Sequence, residues 1–210
     1  MSIPAPVTDW SQLQQDPILS IQQWVTDSLY ALSEQFNPVD FYPEFTLGTL
    51  ALDGSVDARV MKHRGVTKQG ILFFAKDGSD KQKQITANNT VSAVYYFKPL
   101  GRQLIVTGTA SPIETPLLLK SFQSENRDWQ AALTASKQSE PLADYHSLEA
   151  DWGQTLGFHE RALIPLPPTL KAYEIVPKKI EFWQKVETGL HHRFLFTKKE
   201  KQWSKERLYP

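Results

Sequence analysis

Residues Ile180–Phe194 read IEFWQKVETGLHHRF: a glutamate, two aromatics and a glutamine, then two adjacent histidines and an arginine. Three readings compete for such a stretch: a packed terminal hairpin, a metal site, or half of a cofactor pocket. The metal reading is the weakest. Neighbouring residues of a strand point to opposite faces, so His191 and His192 cannot easily chelate one ion. The chain has no cysteine to complete a site, and its other histidines are isolated in sequence. No metal is expected.

The flanking segments set the fold. KIEFWQ and RFLFT read as strands, with KAYEIVP as a third before them and the proline-fixed LIPLPP leading in. Further upstream, strand-like runs alternate with turns: FTLGTLAL (Phe45–Leu52), ARVMKH (Ala58–His63), ILFFA (Ile71–Ala75), VSAVYYF (Val91–Phe97) and QLIVTGTASPI. DGSVD, GVTKQG and KPLGR turn the chain between them. DGSDKQKQITANN reads as a turn into a short helix with Ser79 as N-cap. Ile18, Ile21, Val25, Leu29, Leu32 and Phe36, at steps of three and four, predict an amphipathic helix. It starts at Asp16-Pro17 and stops at Asn37-Pro38. Pro116 to about His159 is helical in pattern. The expectation is one domain over residues 1–210, mainly β with α additions. It would be an antiparallel barrel with peripheral helices and a flexible arm over residues 1–15.

Composition excludes several classes. The chain has 210 residues, 40% of them hydrophobic, enough for a sizeable core. Lys+Arg and Asp+Glu are both 23, so there is no basic excess to suggest a nucleic-acid or acidic-membrane binder. MSIPAPVTDW is not a signal peptide, no run approaches the ~20 apolar residues of a membrane span, and the absence of cysteine fits a reducing cytoplasm. Six Trp and eleven Phe suit either a bulky core or a flat ligand.

Taken singly, the polar motifs leave alternatives open. Ser79 at a helix start, with Lys81 and Lys83 just inside, suits a phosphate or is an ordinary capped surface helix. In ARVMKHR, Arg59, Met61 and His63 share one face, and Val60, Lys62 and Arg64 the other. Such basic residues are solvated, paired or facing an anion. Gln103, where a strand begins, satisfies a turn or meets the donor–acceptor edge of a heterocycle.

Their order along the chain is more specific. Asp16-Pro17, Arg59 in ARVMKH, Gly70–Phe73, Gly78–Lys81, Asn88-Asn89, Arg102-Gln103, Arg127–Gln130, Ser136–Ser139, Ile180–Gln184, Leu190–Arg193 and Arg207–Pro210 occur in one sequence. In that arrangement the chain resembles the pyridoxamine 5'-phosphate oxidase family, the FMN-binding split β-barrels. The resemblance implies a homodimer with FMN sites at the interface and a small-molecule substrate. It implies Arg59, Arg64, Ser79 and Lys81 near the flavin phosphate, and Gln103, Trp183 and Arg193 at the ring. Gln138 and Ser139 would reach the flavin from the partner subunit. His191 matches the histidine over the substrate and is the candidate catalytic residue. The family reaction moves a hydride from a carbon bearing an amine or alcohol to the flavin; oxygen then re-oxidises it.

The departures from the family pattern cluster in the substrate pocket. Where the family has a lysine, a tyrosine, an arginine and a serine, this chain has Arg64, Ser121, Glu125 and Trp129. Gly189 stands where the family has the arginine of R-L-H, and Asp80 where it has the arginine of S-R-K. Phe74-Ala75 replaces a Tyr-Thr pair, and Leu170-Lys171-Ala172 replaces W-G-G. The expectation is an FMN-dependent oxidase acting on a flatter or non-phosphorylated substrate, with weaker flavin binding than in the enzymes proper. The alternatives are a genuine pyridoxamine 5'-phosphate oxidase of vitamin B6 metabolism and a non-catalytic flavin-binding dimer.

Overall fold

Residues that alternate between apolar and polar make one antiparallel sheet, seen in a computed structural model that describes residue 7 and residues 9–33 and 43–210. The strands are β1 (Glu44–Leu50), β2 (Val56–Lys62), β3 (Gly65–Val66), β4 (Ile71–Lys76), β5 (Thr90–Phe97), β6 (Arg102–Ile113), β7 (Leu170–Gln184), β8 (His192–Lys199) and β9 (Gln202–Leu208). They pair in the order β2-β1-β5-β6-β7-β4-β3, with β8 added to β7 and β9 to β8. The helices are α1 (Pro17–Ser33), α2 (Asp80–Ala87), α3 (Pro116–Ser124), α4 (Arg127–Ala135) and α5 (Tyr145–Phe158).

β7 is the axis of the fold. KAYEIVP and KIEFWQ, expected as two strands, are one strand of 15 residues that continues through Pro177. Proline cannot donate to a ladder, and the register shifts where it sits, between Thr107 and Gly108 of β6. Lys178 is the extra residue of the resulting bulge. Gly108 is required there, since a Cβ would lie 2.1 Å from the Val176 carbonyl oxygen. Two further differences concern short or polar strands. β3 forms inside the GVTKQG turn, and β9 (QWSKERL) closes the sheet although its composition is mostly polar.

Two apolar clusters hold the layers together. The larger lies inside the curled sheet, with Phe45, Leu47, Phe73, Tyr95, Phe182, Phe194 and Phe196 at its centre. α1 closes one end by burying Ile18, Ile21, Trp24 and Val25, each worth roughly 1.5–3 kcal/mol if fully buried. Trp24 meets the edge of Phe182 at 4.9 Å, and the buried Arg102 bonds Asp27 on α1 at 2.6 Å. Arg102 is thus part of the scaffold. The helix was expected to run to Phe36; residues 34–42 lie outside the described ones, and α1 is described to Ser33. Within the stretch 1–15, expected to be a flexible arm, Val7 and Leu13 are buried and the Val7 N–H donates to Gln184.

The second cluster explains the uninterrupted apolar run of β4. Phe74, Phe122, Ala131, Ile164, Leu170 and Ala172 form it on the sheet's other face. Covered on both sides, β4 is buried at all six positions. This cluster seats α3 and α4 beside β2 and β4, and so places Glu125 and Trp129 at the site described next. Among the described residues, no helix is long and apolar enough to cross a membrane.

Candidate functional site

Arg59 projects from β2, a terminal strand of the sheet path, at the end of the core face. Its guanidinium donates to the Leu47 carbonyl at 3.2 Å, to the Thr49 hydroxyl, and to Gln84 Oε1 at 3.1 Å. The nearest carboxylate in contact, Asp57, is 3.9 Å away. Gln84 on α2 also donates to Asp57 at 2.6 Å, so one glutamine side chain fixes both ends of this ion pair. Lys81 lies in the first turn of α2. Its ammonium donates to the neutral Gln138 amide oxygen at 2.9 Å. Burial, reinforced by the charge of Arg59, pushes the Lys81 ammonium down to about 8, with Asp80 opposing the shift. Burial also lowers the Arg59 guanidinium.

Ser79 is the N-cap of α2 by position, yet its buried hydroxyl donates backward to the Lys76 carbonyl at 2.7 Å and accepts no helix N–H. The first helical N–H, that of Asp80, donates instead to Ser139 Oγ at 3.2 Å. Ser139 has a φ of 70°, a left-handed conformation uncommon for serine. The segment holding Gln138 and Ser139 is anchored by the buried Lys76, whose ammonium caps the end of α4 through the carbonyls of Leu133, at 2.6 Å, and Ser136.

A cleft of about 280 Å³ opens beside these groups. Val60, Lys62, Arg64, Phe74, Lys81 and Trp129 are among its walls. At its far corner Arg64 donates to Glu125 at 2.7 Å, and Lys62 stands 3.6 Å from the other Glu125 oxygen. The Arg64 guanidinium lies over the rings of Phe74, at 5.0 Å, and Trp129, at 5.5 Å. His63 lies on the core-facing side of the strand, as Arg59 and Met61 do. It bonds the Tyr95 hydroxyl at 2.9 Å, and burial pushes its imidazole down to about 4.

The remaining expected residues lie elsewhere. Gln103, Trp183 and Arg193 are register partners across β6, β7 and β8, so their side chains share one face. Arg59 belongs to another row, through Leu47, Ala93, Val106, Ile180 and Phe196. That row faces the core. Gln103 and Val106, like Trp183 and Ile180, are three residues apart, so the two rows face opposite sides of the sheet. Gln138 and Ser139, expected to reach the flavin from a partner subunit, stand beside Lys81 and Asp80 of their own chain. Within a single chain the row of Gln103, Trp183 and Arg193 is turned away from Arg59.

Arg193 is held by Glu181 in a two-pronged ion pair, 2.8 and 3.2 Å, which keeps its guanidinium above the usual value. The edge-on contact of His191 and Trp183 is 4.8 Å between ring centres. His191 Nδ1 accepts from the Val186 N–H at 3.2 Å, so in the neutral ring Nε2 carries the proton. Gly189, in the turn before it, has a φ of +79° and open space around its α-carbon. A side chain there would be strained by the backbone alone. Ser121, on α3, is half-buried. Gln84, Lys76 and Glu181 were not singled out from the sequence. For Glu181 the signal was present, because it lies two residues from Trp183 in a strand and so shares its face.

Residues 41–158 match the family described as pyridoxamine 5'-phosphate oxidase, and residues 171–210 match the pyridoxine 5'-phosphate oxidase C-terminal dimerisation region. The chain belongs to the pyridoxamine 5'-phosphate oxidase family. A pyridoxine/pyridoxamine 5'-phosphate oxidase of Shewanella sp. (strain MR-4) is 32% identical over 200 residues, covering 95% of this chain and 92% of the relative. Another, of Shewanella pealeana, is 34% identical over 165 residues, 79% of this chain and 78% of the relative. Among solved structures, PhzG from Burkholderia lata 383, in complex with tetrahydrophenazine-1-carboxylic acid, superposes with a TM-score of 0.86 at 24% identity, covering all of both chains. A pyridoxamine 5'-phosphate oxidase-related FMN-binding protein of Nostoc punctiforme gives 0.69 at 16% identity, over 90% of this chain and 97% of that one. The fold is thus the split barrel of this family, and β7, β8 and β9 make up the region matched to dimerisation.

Proposed function

We propose that this chain is an FMN-dependent oxidoreductase that works as a homodimer, with each flavin held between two copies. The observation that carries this reading is the Arg59–Lys81 pair. Two cations are partly withdrawn from water, each disfavoured by burial, and Lys81 further by its neighbour's charge. An anion between them would relieve both costs, and the flavin phosphate has the right charge. Asp80 is the opposing feature, and is a physical reason for weaker flavin binding than two unopposed cations would give.

The ring contacts would come from the other copy, because Gln103, Trp183 and Arg193 face away from Arg59 on their own chain. They lie at or beside the region matched to dimerisation. Bound FMN would accept a hydride from a carbon bearing an alcohol or amine and pass the electrons to oxygen. The chain's own groups have simpler tasks. Gln138 orients Lys81, Glu181 aims the Arg193 fork, and Trp183 offers a flat wall. His191, with Nδ1 engaged by the Val186 amide, presents an Nε2–H that can donate a hydrogen bond to the substrate's hydroxyl or amine.

The purified chain should take up added FMN with a shift of the visible flavin spectrum. It should then release peroxide from a ring alcohol or amine lacking a phosphate. No uptake of flavin overturns the reading. The names of the Shewanella relatives favour a second one, a pyridoxine/pyridoxamine 5'-phosphate oxidase in the strict sense, since two cations, Lys62 and Arg64, still stand at the cleft. Peroxide release from pyridoxine 5'-phosphate at ~1 s⁻¹ or faster decides for that second reading.

A further inference from the structure

The corner of the cleft at Glu125 deepens the reading just given, on which it rests. We infer that Glu125 determines which substrate enters: its carboxylate stands permanently where a substrate phosphate would bind, so the cleft takes a flat aromatic ring with no phosphate at the entering end.

The geometry is specific. Glu125 closes the C-terminus of α3, its backbone fixed by the Phe122 carbonyl at 3.3 Å and by the Gln130 amide, which donates to the Glu125 carbonyl at 2.8 Å. From that fixed point one carboxylate oxygen reaches Arg64 at 2.7 Å and the other lies 3.6 Å from Lys62. The Arg64 and Glu125 side chains are only 4% and 8% exposed. A buried guanidinium already paired at this distance gains little from a second anion, and an incoming phosphate would also meet the carboxylate's own charge. Trp129 and Phe74, each with the Arg64 guanidinium over one part of its ring, also line the cleft. The ring surface that the cations leave uncovered suits a flat ring and offers nothing to a phosphate.

A single change should reverse this preference. Glu125→Gln keeps the shape and removes the charge, leaving Arg64 and Lys62 without the carboxylate that balances them. A phosphate would then gain one or two charge-assisted hydrogen bonds, a ten- to hundredfold change in affinity. The probes are 4-deoxypyridoxine 5'-phosphate and 4-deoxypyridoxine, which lack the oxidisable group, bound to the full chain with FMN and measured by equilibrium dialysis. The native chain is expected to bind the two within about threefold of each other. Glu125→Gln is expected to favour the phosphate form at least tenfold, and Arg64→Gln/Glu125→Gln to lose that gain. A native chain that already prefers the phosphate form tenfold or more overturns the inference without any variant. So does a folded Glu125→Gln protein with no gain. Flavin content is read from the visible spectrum of the same samples. Failure of the FMN reading shows as colourless protein throughout; failure of this inference shows as flavin-loaded protein with unchanged ligand preference.

Discussion

The chain holds two pairs of arginine and lysine on and beside β2, and they are in opposite electrostatic states. At Arg64 and Lys62 a buried carboxylate, Glu125, lies at 2.7 and 3.6 Å. At Arg59 and Lys81 the closest carboxylate contact is 3.9 Å, and Lys81 is bonded to a neutral amide. The same residue types thus make a satisfied structural pair at one corner and a pair disfavoured by its surroundings at the other. Residue type alone does not mark an anion site. What marks it is charge whose burial is not offset, and that can be read only once the neighbours are known.

The largest effect that would sharpen this comparison comes from removing the disfavoured pair. Arg59→Ala/Lys81→Ala should weaken FMN binding by about a hundredfold or more, since each lost charge-assisted bond is worth roughly 1.5–3 kcal/mol. Flavin fluorescence quenching measures it; unchanged affinity would break the comparison at its first term.

The next effect is on pH. Lys81, held down to about 8, binds an anion only while protonated. FMN affinity should therefore be full below about pH 8 and fall as the pH rises through it, by up to about tenfold per unit until the lysine of the complex also titrates. In Lys81→Arg the charge persists, and the profile should flatten over the same range. A native profile that is flat from pH 7 to about 9.5 would show that Lys81 does not face the phosphate.

The smallest effect concerns Gln138. Its amide orients Lys81 without neutralising it, so Gln138→Ala should weaken FMN only about three- to tenfold, the range of an ordinary hydrogen bond. Dialysis against FMN would detect it. A loss as large as that of the double variant would mean that Gln138 itself grips the flavin.

Much of the frame was legible in the sequence, because alternation survives wherever one face is buried. β1, β2, β4, β5 and β6 fall within a few residues of where the pattern puts them. Pro177 read as a stop because proline ends most strands; the bulge at Lys178 opposite Gly108 lets β7 continue. β9 was missed because an edge strand with polar residues on it carries little apolar pattern. In the site, residue types were legible and partnerships were not. Arg64 and Glu125 meet only because the second apolar cluster docks α3 and α4 against β4. Which residues share the face of Arg59 depends on parity across the strands from β2 to β8. Hydrogen bonds place Gln138 and Ser139 beside Lys81 and Asp80, and the register turns Gln103, Trp183 and Arg193 away from Arg59.

That division is the central claim, and subunit mixing tests it most directly. One protein carries Arg59→Ala/Lys81→Ala, the other Trp183→Ala/Arg193→Ala; neither alone should hold FMN. After dissociation and reassociation at equal concentration, half of the dimers are mixed, and each mixed dimer has one site with both halves intact. About a quarter of the native flavin content should return. If no flavin returns although mixed dimers form, both halves of the site come from the same chain, and the account is wrong.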